Sequence, residues 1–134
     1  MNITNMTLEA DYAVRIVSAM AAAKSVENNR RLDAGALAEA TGVTLRFTLK
    51  IMRKLVAAGI AKSYKGVSGG YVLAKPAGDI SVGEVIEAVD GRFELARCTQ
   101  NGCSNPSMTG ICRFKNEFDR ISEMVRKEMG KILF

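Results

Sequence analysis

The chain has 134 residues, 48% of them hydrophobic, with a formal net charge of +5, so it can form one domain with a real core and an added assembly element. No apolar run approaches the roughly 18 residues of a membrane span, and the N-terminus lacks a secretory signal pattern, so we expect a cytoplasmic protein with no membrane contact. With no His, no nucleophile–base pairing and no nucleotide-binding glycine motif, the sequence does not indicate an enzyme.

The first third of the chain predicts two helices. The first covers about residues 7–23 and begins at a threonine cap. A polar loop at 24–31 follows. Asp33 then caps a short helix over 34–40. Gly42 separates it from another helical pattern, which predicts a helix-turn-helix.

The second helix of that pair has one apolar and one basic face. Thr44 is its N-cap and Gly59 closes it. Spacing of three and four residues predicts an inward face of Leu45, Thr48, Ile51, Met52 and Leu55. The other face carries Arg46, Lys50, Arg53 and Lys54. This is the predicted recognition helix.

Two β-prone runs, residues 60–64 and 71–74, flank a glycine-rich turn at 65–70, which predicts a hairpin wing. From Ala40 to Gly78 all seven charged residues are basic, whereas the remainder of the chain has 12 basic and 14 acidic residues. Together the helix pair, the wing and the positive charge indicate double-stranded DNA as the partner. The alternative is a solvated basic helix beside an ordinary hairpin.

The contact residues follow from that prediction. Three side chains on the outer part of the recognition helix are expected to reach base edges: Arg46, Phe47 and Lys50. Four others are expected to meet phosphates: Thr44, Arg53, Lys54 and Lys65. The wing tip, Ser68 to Gly70, is expected to enter a minor groove because glycine lets the backbone approach closely.

The last part of the chain contains a loop between two helices. Ser81 and Glu84 form a capping box that begins a helix, and Gly91 ends it. Residues 92–112 lack apolar periodicity and predict an irregular loop with three cysteines. From Phe114 the apolar residues return at helical spacing, at Phe114, Phe118, Ile121, Val125, Met129 and Ile132. Such a stripe needs a partner, for which a second copy is the simple candidate and the chain's own domain the alternative.

The expected fold class is mostly α with a small β-hairpin. We divide the chain into a winged helix-turn-helix DNA-binding domain at 1–91, a cysteine-bearing loop at 92–112 and a dimerisation helix at 113–134.

Four stretches resemble the Rrf-type winged-helix transcriptional regulators, the IscR/NsrR-like family. They are DYAVR at 11–15, IMRKLVAAGI at 51–60, GVSGGYVLAKP at 66–76 and ISVGEVIEAVDG at 80–91. The wing stretch is the most specific. The resemblance implies a homodimer, paired through the long C-terminal helix, that binds an operator and most often represses transcription.

The resemblance also gives the three cysteines a role. It implies that Cys98, Cys103 and Cys112 ligate a 2Fe-2S or 4Fe-4S iron–sulfur cluster, with Asp11 of the partner subunit as the fourth ligand. Operator binding would then depend on the cluster. Alternatives are inert thiols, a regulatory disulfide between Cys98 and Cys103, a zinc site, or an electron-transfer protein.

Overall fold

The computed structural model describes residues 6–25, 28, 30–95 and 113–134. Within these ranges the chain is mostly helical, with one two-stranded antiparallel sheet, so the predicted fold class is confirmed. The elements in chain order are α1 (Leu8–Ala22), α2 (Ala34–Thr41), α3 (Leu45–Ala57), β1 (Ala61–Tyr64), β2 (Gly70–Leu73), a short 3₁₀ turn (Ala77–Asp79), α4 (Val82–Asp90) and α5 (Arg113–Met129). In the described ranges, no helix combines the length and apolarity that crossing a bilayer would need.

The helix starts are fixed by local caps, as predicted. The side chains of Thr7, Asp33 and Thr44 each accept a backbone N–H bond from the first turn of the helix that follows. At α4, Ser81 and Glu84 form the full capping box, with bonds of 3.1 and 2.9 Å.

Helix α1 lies at the centre of the core and packs against α2, α3 and α4. Five of its residues are buried: Ala10, Ala13, Ile16, Val17 and Met20. The buried residues of α3 are Thr48, Ile51, Met52 and Leu55, and those of α4 are Val85, Ile86 and Val89. Alanines at two of the α1 positions allow the neighbouring helices to approach closely.

The hairpin is joined to the N-terminal half of the chain by backbone pairing. Ala61 faces Leu73 and Tyr64 faces Gly70 across the two strands. Leu32 forms an additional antiparallel bridge with Tyr71, in which the two residues exchange N–H···O bonds of 2.8 and 3.0 Å. Because Leu32 precedes α2, this bridge fixes the wing relative to the helix-turn-helix.

Helix α5 ends at Met129, so the prediction of a helix extending to 134 was wrong at its end. Gly130 and Lys131 form a turn, and the tail then pairs with the segment before α4. The N–H of Val82 donates to the carbonyl of Ile132 at 2.8 Å, and that of Phe134 donates to the carbonyl of Ile80 at 3.2 Å. Glycine disfavours helix continuation, and this pairing gives the tail's backbone groups partners that the helix would otherwise supply.

Candidate nucleic-acid interface

The turn between α2 and α3 sets the direction of the recognition helix. Gly42 adopts a φ of 73°, in the left-handed region that glycine occupies without strain. Thr44 then caps α3 by accepting a 3.3 Å bond from the N–H of Phe47. Arg46, Lys50 and Arg53 lie exposed on the outward face of this helix. Three of the four residues on the predicted basic face therefore face solvent in the folded chain.

Phe47 does not stand out from α3 with the basic residues. Its ring is half-buried and meets Tyr12 of α1 edge to face, with centroids 5.3 Å apart and planes at 88°. Such aromatic pairs add to stability beyond the area they bury. The structure thus shows Phe47 contacting α1, while its contact with a base stays a prediction.

The two lysines of α3 are held differently. The Lys54 ammonium lies 2.8 Å from a Glu9 carboxylate oxygen and donates to the carbonyl of Val89 at 3.2 Å. It therefore bridges α1, α3 and α4, and its charge is already compensated. Lys50 lies 3.8 Å from the same carboxylate and over the Phe47 ring at 5.6 Å, with 57% of its side chain exposed. Lys50 faces solvent, whereas Lys54 is directed into the helix junction.

Leucines on α3 differ from the predicted inward face. Leu45 was expected to point into the core, but it is 51% exposed. Leu49, to which the sequence analysis gave no role, is 42% exposed. At about 100° per residue, both lie beside the basic face and away from the arc occupied by Ile51 and Leu55. Leu45 is the first residue of α3, and helical spacing alone does not show which positions a neighbouring element covers.

The wing tip has a tightly constrained backbone. A Cβ added at Gly69 would collide with the carbonyl of Tyr64, and one at Gly70 would lie 2.9 Å from the carbonyl of Leu32. Gly70 also has a φ of 137°, which disfavours any side chain. Lys65 and Ser68 are exposed at the same tip. Glycine is therefore required at these two positions because the wing backbone passes close to the backbone of Tyr64 and Leu32.

Sequence reasoning missed Arg31, which holds the wing. Its guanidinium lies 3.9 Å from the Tyr64 ring centroid and donates to the carbonyl of Ser68 at 3.1 Å. It therefore contacts β1 and the wing tip together, and we call this arrangement the Arg31 clasp. No local pattern in the polar stretch 24–31 signals it, because both partners are more than 30 residues away.

The cysteine loop lies largely outside the described residues, and so do Cys98, Cys103 and Cys112. Asp11, the predicted fourth ligand, lies on α1 and forms a 2.9 Å ion pair with Arg15, with 39% of its side chain exposed. Among the described residues, no group of three or more His, Cys, Asp or Glu side chains is placed to hold a metal ion.

The segment that leads into the loop is bound to α5. The N–H of Leu95 donates to the buried hydroxyl of Ser122 at 2.9 Å, and that hydroxyl donates to the carbonyl of Phe118 at 2.8 Å. Arg126 donates to the carbonyl of Phe93 at 2.6 Å and lies 3.6 Å from Glu94. Because α5 begins at Arg113, both ends of the loop are attached to the same helix.

A family model described as "Rrf2: Iron-dependent Transcriptional regulator" matches residues 6–134. The chain belongs to the Rrf2 family. This confirms the resemblance drawn from the four sequence stretches. Members of this family are transcriptional regulators, and the winged helix-turn-helix with its C-terminal helix is the architecture found here.

Curated relatives match about half of the chain by sequence. The HTH-type transcriptional regulator IscR of Enterobacter sp. (strain 638) is 39% identical over 66 residues, which are 49% of this chain and 40% of that protein. The same match is found with IscR of Klebsiella pneumoniae. The matched stretch thus spans less than half the length of these curated relatives.

Two solved structures resemble nearly the whole chain. T. potens IscR superposes with a TM-score of 0.70 at 20% identity, covering 95% of this chain and 80% of its own. CymR, described as the global cysteine regulator of B. subtilis, superposes with a TM-score of 0.68 at 18% identity, covering 96% and 91%. At these sequence identities the likeness to the two structures establishes the fold of this chain and nothing further.

Proposed function

We propose that this Rrf2-family chain is a homodimeric repressor that binds an operator in double-stranded DNA through α3 and the wing. One observation carries the proposal: the outward face of α3 presents Arg46, Lys50 and Arg53 beside a basic glycine wing. A dimer would place two such helices in successive major grooves, about one helical turn or a whole number of turns apart.

The exposed side chains suit different parts of the duplex. Arg46 and Lys50 are assigned to base edges, where guanine offers two acceptors to a cation. Thr44, Arg53 and Lys65 are assigned to phosphates, and the tip at 68–70 to the minor groove. Lys54 has its ammonium on Glu9 and Val89, so we assign it the placement of α3 rather than a phosphate contact.

The C-terminal helix supports the proposed dimer. Phe118, Ile121 and Val125 form one apolar stripe on α5 and are only partly covered by their own chain. Phe114 and Met124 beside them are 50% and 54% exposed. Burying this stripe against a second copy removes apolar surface from water on both chains, and that is the main driving force for association.

The cysteine loop is proposed to hold an iron–sulfur cluster. The donor set fits, because thiolates of Cys98, Cys103 and Cys112 are the preferred ligands and a carboxylate is a harder, weaker one. Asp11 of the partner subunit would supply that carboxylate, since this residue lies at the partly exposed surface of α1. When bound, such a cluster supplies sensitivity to oxidation and to small ligands of iron.

Contacts among the described residues support a coupling between the cysteine loop and the recognition helix α3. Leu95 is bonded to α5 through Ser122, and α5 contacts α4. The carbonyl of Val89 on α4 accepts from Lys54 of α3. A change in the loop would therefore act on the helix that sets the dimer and on the helix that supports α3.

A clusterless, thiol-redox-switched regulator is the alternative. It shares the DNA-binding surface and differs only in the state of the three cysteines. Anaerobic purification followed by iron, acid-labile sulfide and visible absorption separates the two. We expect stoichiometric iron and sulfide in the wild-type chain, and a lower content of both in Cys103→Ala. Colourless protein that changes affinity on thiol oxidation would support the alternative.

The DNA-binding proposal is tested by selecting duplexes from a random pool with the purified chain, followed by a salt titration of the affinity. Arg53→Ala is expected to reduce the slope of log K against log salt by about 1 with unchanged stability. Lys54→Ala removes the same charge from the adjacent position and is expected to lower stability while the slope stays near wild type. Failure to retain any duplex would overturn the proposal.

A further inference from the structure

The outward face of α3 carries an apolar pair as well as cations. Leu45 and Leu49 lie four residues apart, on the same side of the helix, at 51% and 42% exposure. They line one shallow depression on the surface of α3 together with Thr44, Arg46, Phe47, Lys50 and Arg53. Single exposed leucines are common on proteins, but two adjacent ones among three cations form a distinct chemical surface.

The cations restrict what can cover that surface. A protein partner seated on the leucines would bury Arg46, Lys50 and Arg53 and would need matching carboxylates. Duplex DNA provides phosphates and guanine acceptors for these three side chains. Charge complementarity therefore favours the major groove as the occupant.

Within the major groove only one standard base offers an apolar group to a leucine. That group is the C5-methyl of thymine, since the other base edges present hydrogen-bond donors and acceptors. A leucine over those polar edges would leave them without partners, whereas over a thymine it excludes water from two apolar groups.

Resting on the proposed DNA binding, we propose that Leu45 and Leu49 read thymine methyl groups and so determine part of the operator sequence. The two leucines are separated by about 6 Å along the helix axis, at a rise of 1.5 Å per residue. Base pairs follow one another every 3.4 Å, so the pair spans about two base-pair steps. Each half-site thus has thymines within two steps of a guanine read by Arg46 or Lys50.

Replacing thymine by uracil tests this directly, because it removes the C5-methyl and leaves base pairing and the O4 acceptor in place. The probe is the duplex that the full chain retains from a random pool, with uracil introduced at one thymine of each half-site in turn. Burial of one methyl corresponds to about a fourfold change in affinity. We expect that loss per half-site for the wild-type chain at the leucine-contacted positions.

Leu49→Ala and Leu45→Ala are the informative variants. Alanine favours helix and both positions are exposed, so folding is retained. Each variant is expected to bind the thymine duplex more weakly and to be indifferent to uracil at its own position. Leu8→Ala is the control: it truncates a leucine that is 59% exposed and lies on α1, outside α3, and it should keep the wild-type thymine preference.

The outcomes separate this inference from the proposed function. Wild-type binding that ignores uracil at every position overturns thymine reading and leaves DNA binding intact. A thymine preference that persists in both leucine variants overturns the assignment to these residues. Retention of no duplex overturns the proposed function itself.

Discussion

Helices α1 and α5 have similar lengths, 15 and 17 residues, but very different surroundings. Helix α1 buries five residues against three other helices of its own chain. Among the side chains described on α5, Ser122 is the one that is buried, and the apolar stripe beside it is half-buried or exposed. Helix α1 is thus packed within its own chain, whereas the apolar stripe of α5 is the surface that we propose for the dimer.

Truncating one isoleucine to alanine in each helix tests this comparison, and the larger loss of stability is expected at α1. Ile16→Ala removes a side chain with no exposed surface and is expected to lower the free energy of unfolding by about 2–5 kcal/mol. Ile121→Ala should cost well under half as much, because the side chain is only partly buried. Urea denaturation at a protein concentration where the chain is monomeric measures both. Equal losses would show that α5 belongs to the same core.

A charge placed on the α5 stripe tests its proposed role in the dimer. Ile121→Glu is expected to weaken dimerisation by about 100-fold or more, since a buried carboxylate without a partner is strongly unfavourable. Asn116→Glu adds the same charge on the exposed opposite side of α5 and should leave the dimer intact. Sedimentation velocity over a concentration series distinguishes them. A dimer that survives Ile121→Glu would place the interface elsewhere.

The close contact between α4 and the end of α5 depends on Gly83. A Cβ at Gly83 would lie 3.2 Å from the backbone of Met129 and Gly130 at the end of α5. Gly83→Val is expected to displace the C-terminal tail and cost about 1–3 kcal/mol through overpacking. Gly78→Val, at a position open to solvent, is the control. Hydrogen exchange at Val82 and Phe134 reports on the tail, and unchanged protection there would contradict the account.

The tip of the wing is also held to the segment before α2 by the Arg31 clasp. Arg31→Ala is expected to reduce DNA affinity about fivefold, because the wing tip loses its contact with the loop before α2. Arg30→Ala removes an exposed side chain of the same charge one residue away and should have a smaller effect. Fluorescence anisotropy with a fixed duplex measures both. Equal effects would indicate that Arg31 acts only through its charge.

The smallest expected effect concerns Glu84. A hydrogen bond from Lys75 at 2.8 Å, together with one from the Ser81 N–H, lowers the pKa of this carboxyl below its ordinary value of 4.5. Its stabilisation is therefore present above that value and is lost as pH falls through the lower folded pKa. Glu84→Gln keeps the cap. The variant should be less stable at pH 7 by at most about 0.5 kcal/mol, since both side chains are partly exposed.

The direction of this pH dependence is checked by measuring the unfolding free energies of wild type and Glu84→Gln across pH. The difference between wild type and Glu84→Gln should vanish in acid. A difference in unfolding free energy that persists at about pH 2 to 3, where the carboxyls are protonated, would contradict the assignment.

The elements that the sequence predicted well are those fixed by neighbouring residues. Thr7, Asp33, Thr44 and the Ser81–Glu84 box begin their helices as expected, because a cap needs only a side chain and the N–H groups two or three residues away. The wing was equally readable from its glycines and flanking β-prone runs.

What the sequence did not predict depends on contacts between distant parts of the chain. Arg31 reaches Ser68, and Leu32 pairs with Tyr71, across nearly 40 residues. Leu45 was assigned to the core because its spacing fits, but it is 51% exposed at the start of α3, and spacing does not show which positions distant elements cover. The end of α5 was missed for the same reason, since its tail pairs with Ile80 and Val82.

Hydroxyl-radical footprinting of the purified chain on its selected duplex tests the central claim most directly, that two α3 helices of a dimer read one operator. We predict two protected windows whose centres lie about 10 to 10.5 bp apart, or a whole multiple of that spacing. Arg46→Ala should weaken both windows together. A single window, or uniform protection without a fixed position, would contradict the account.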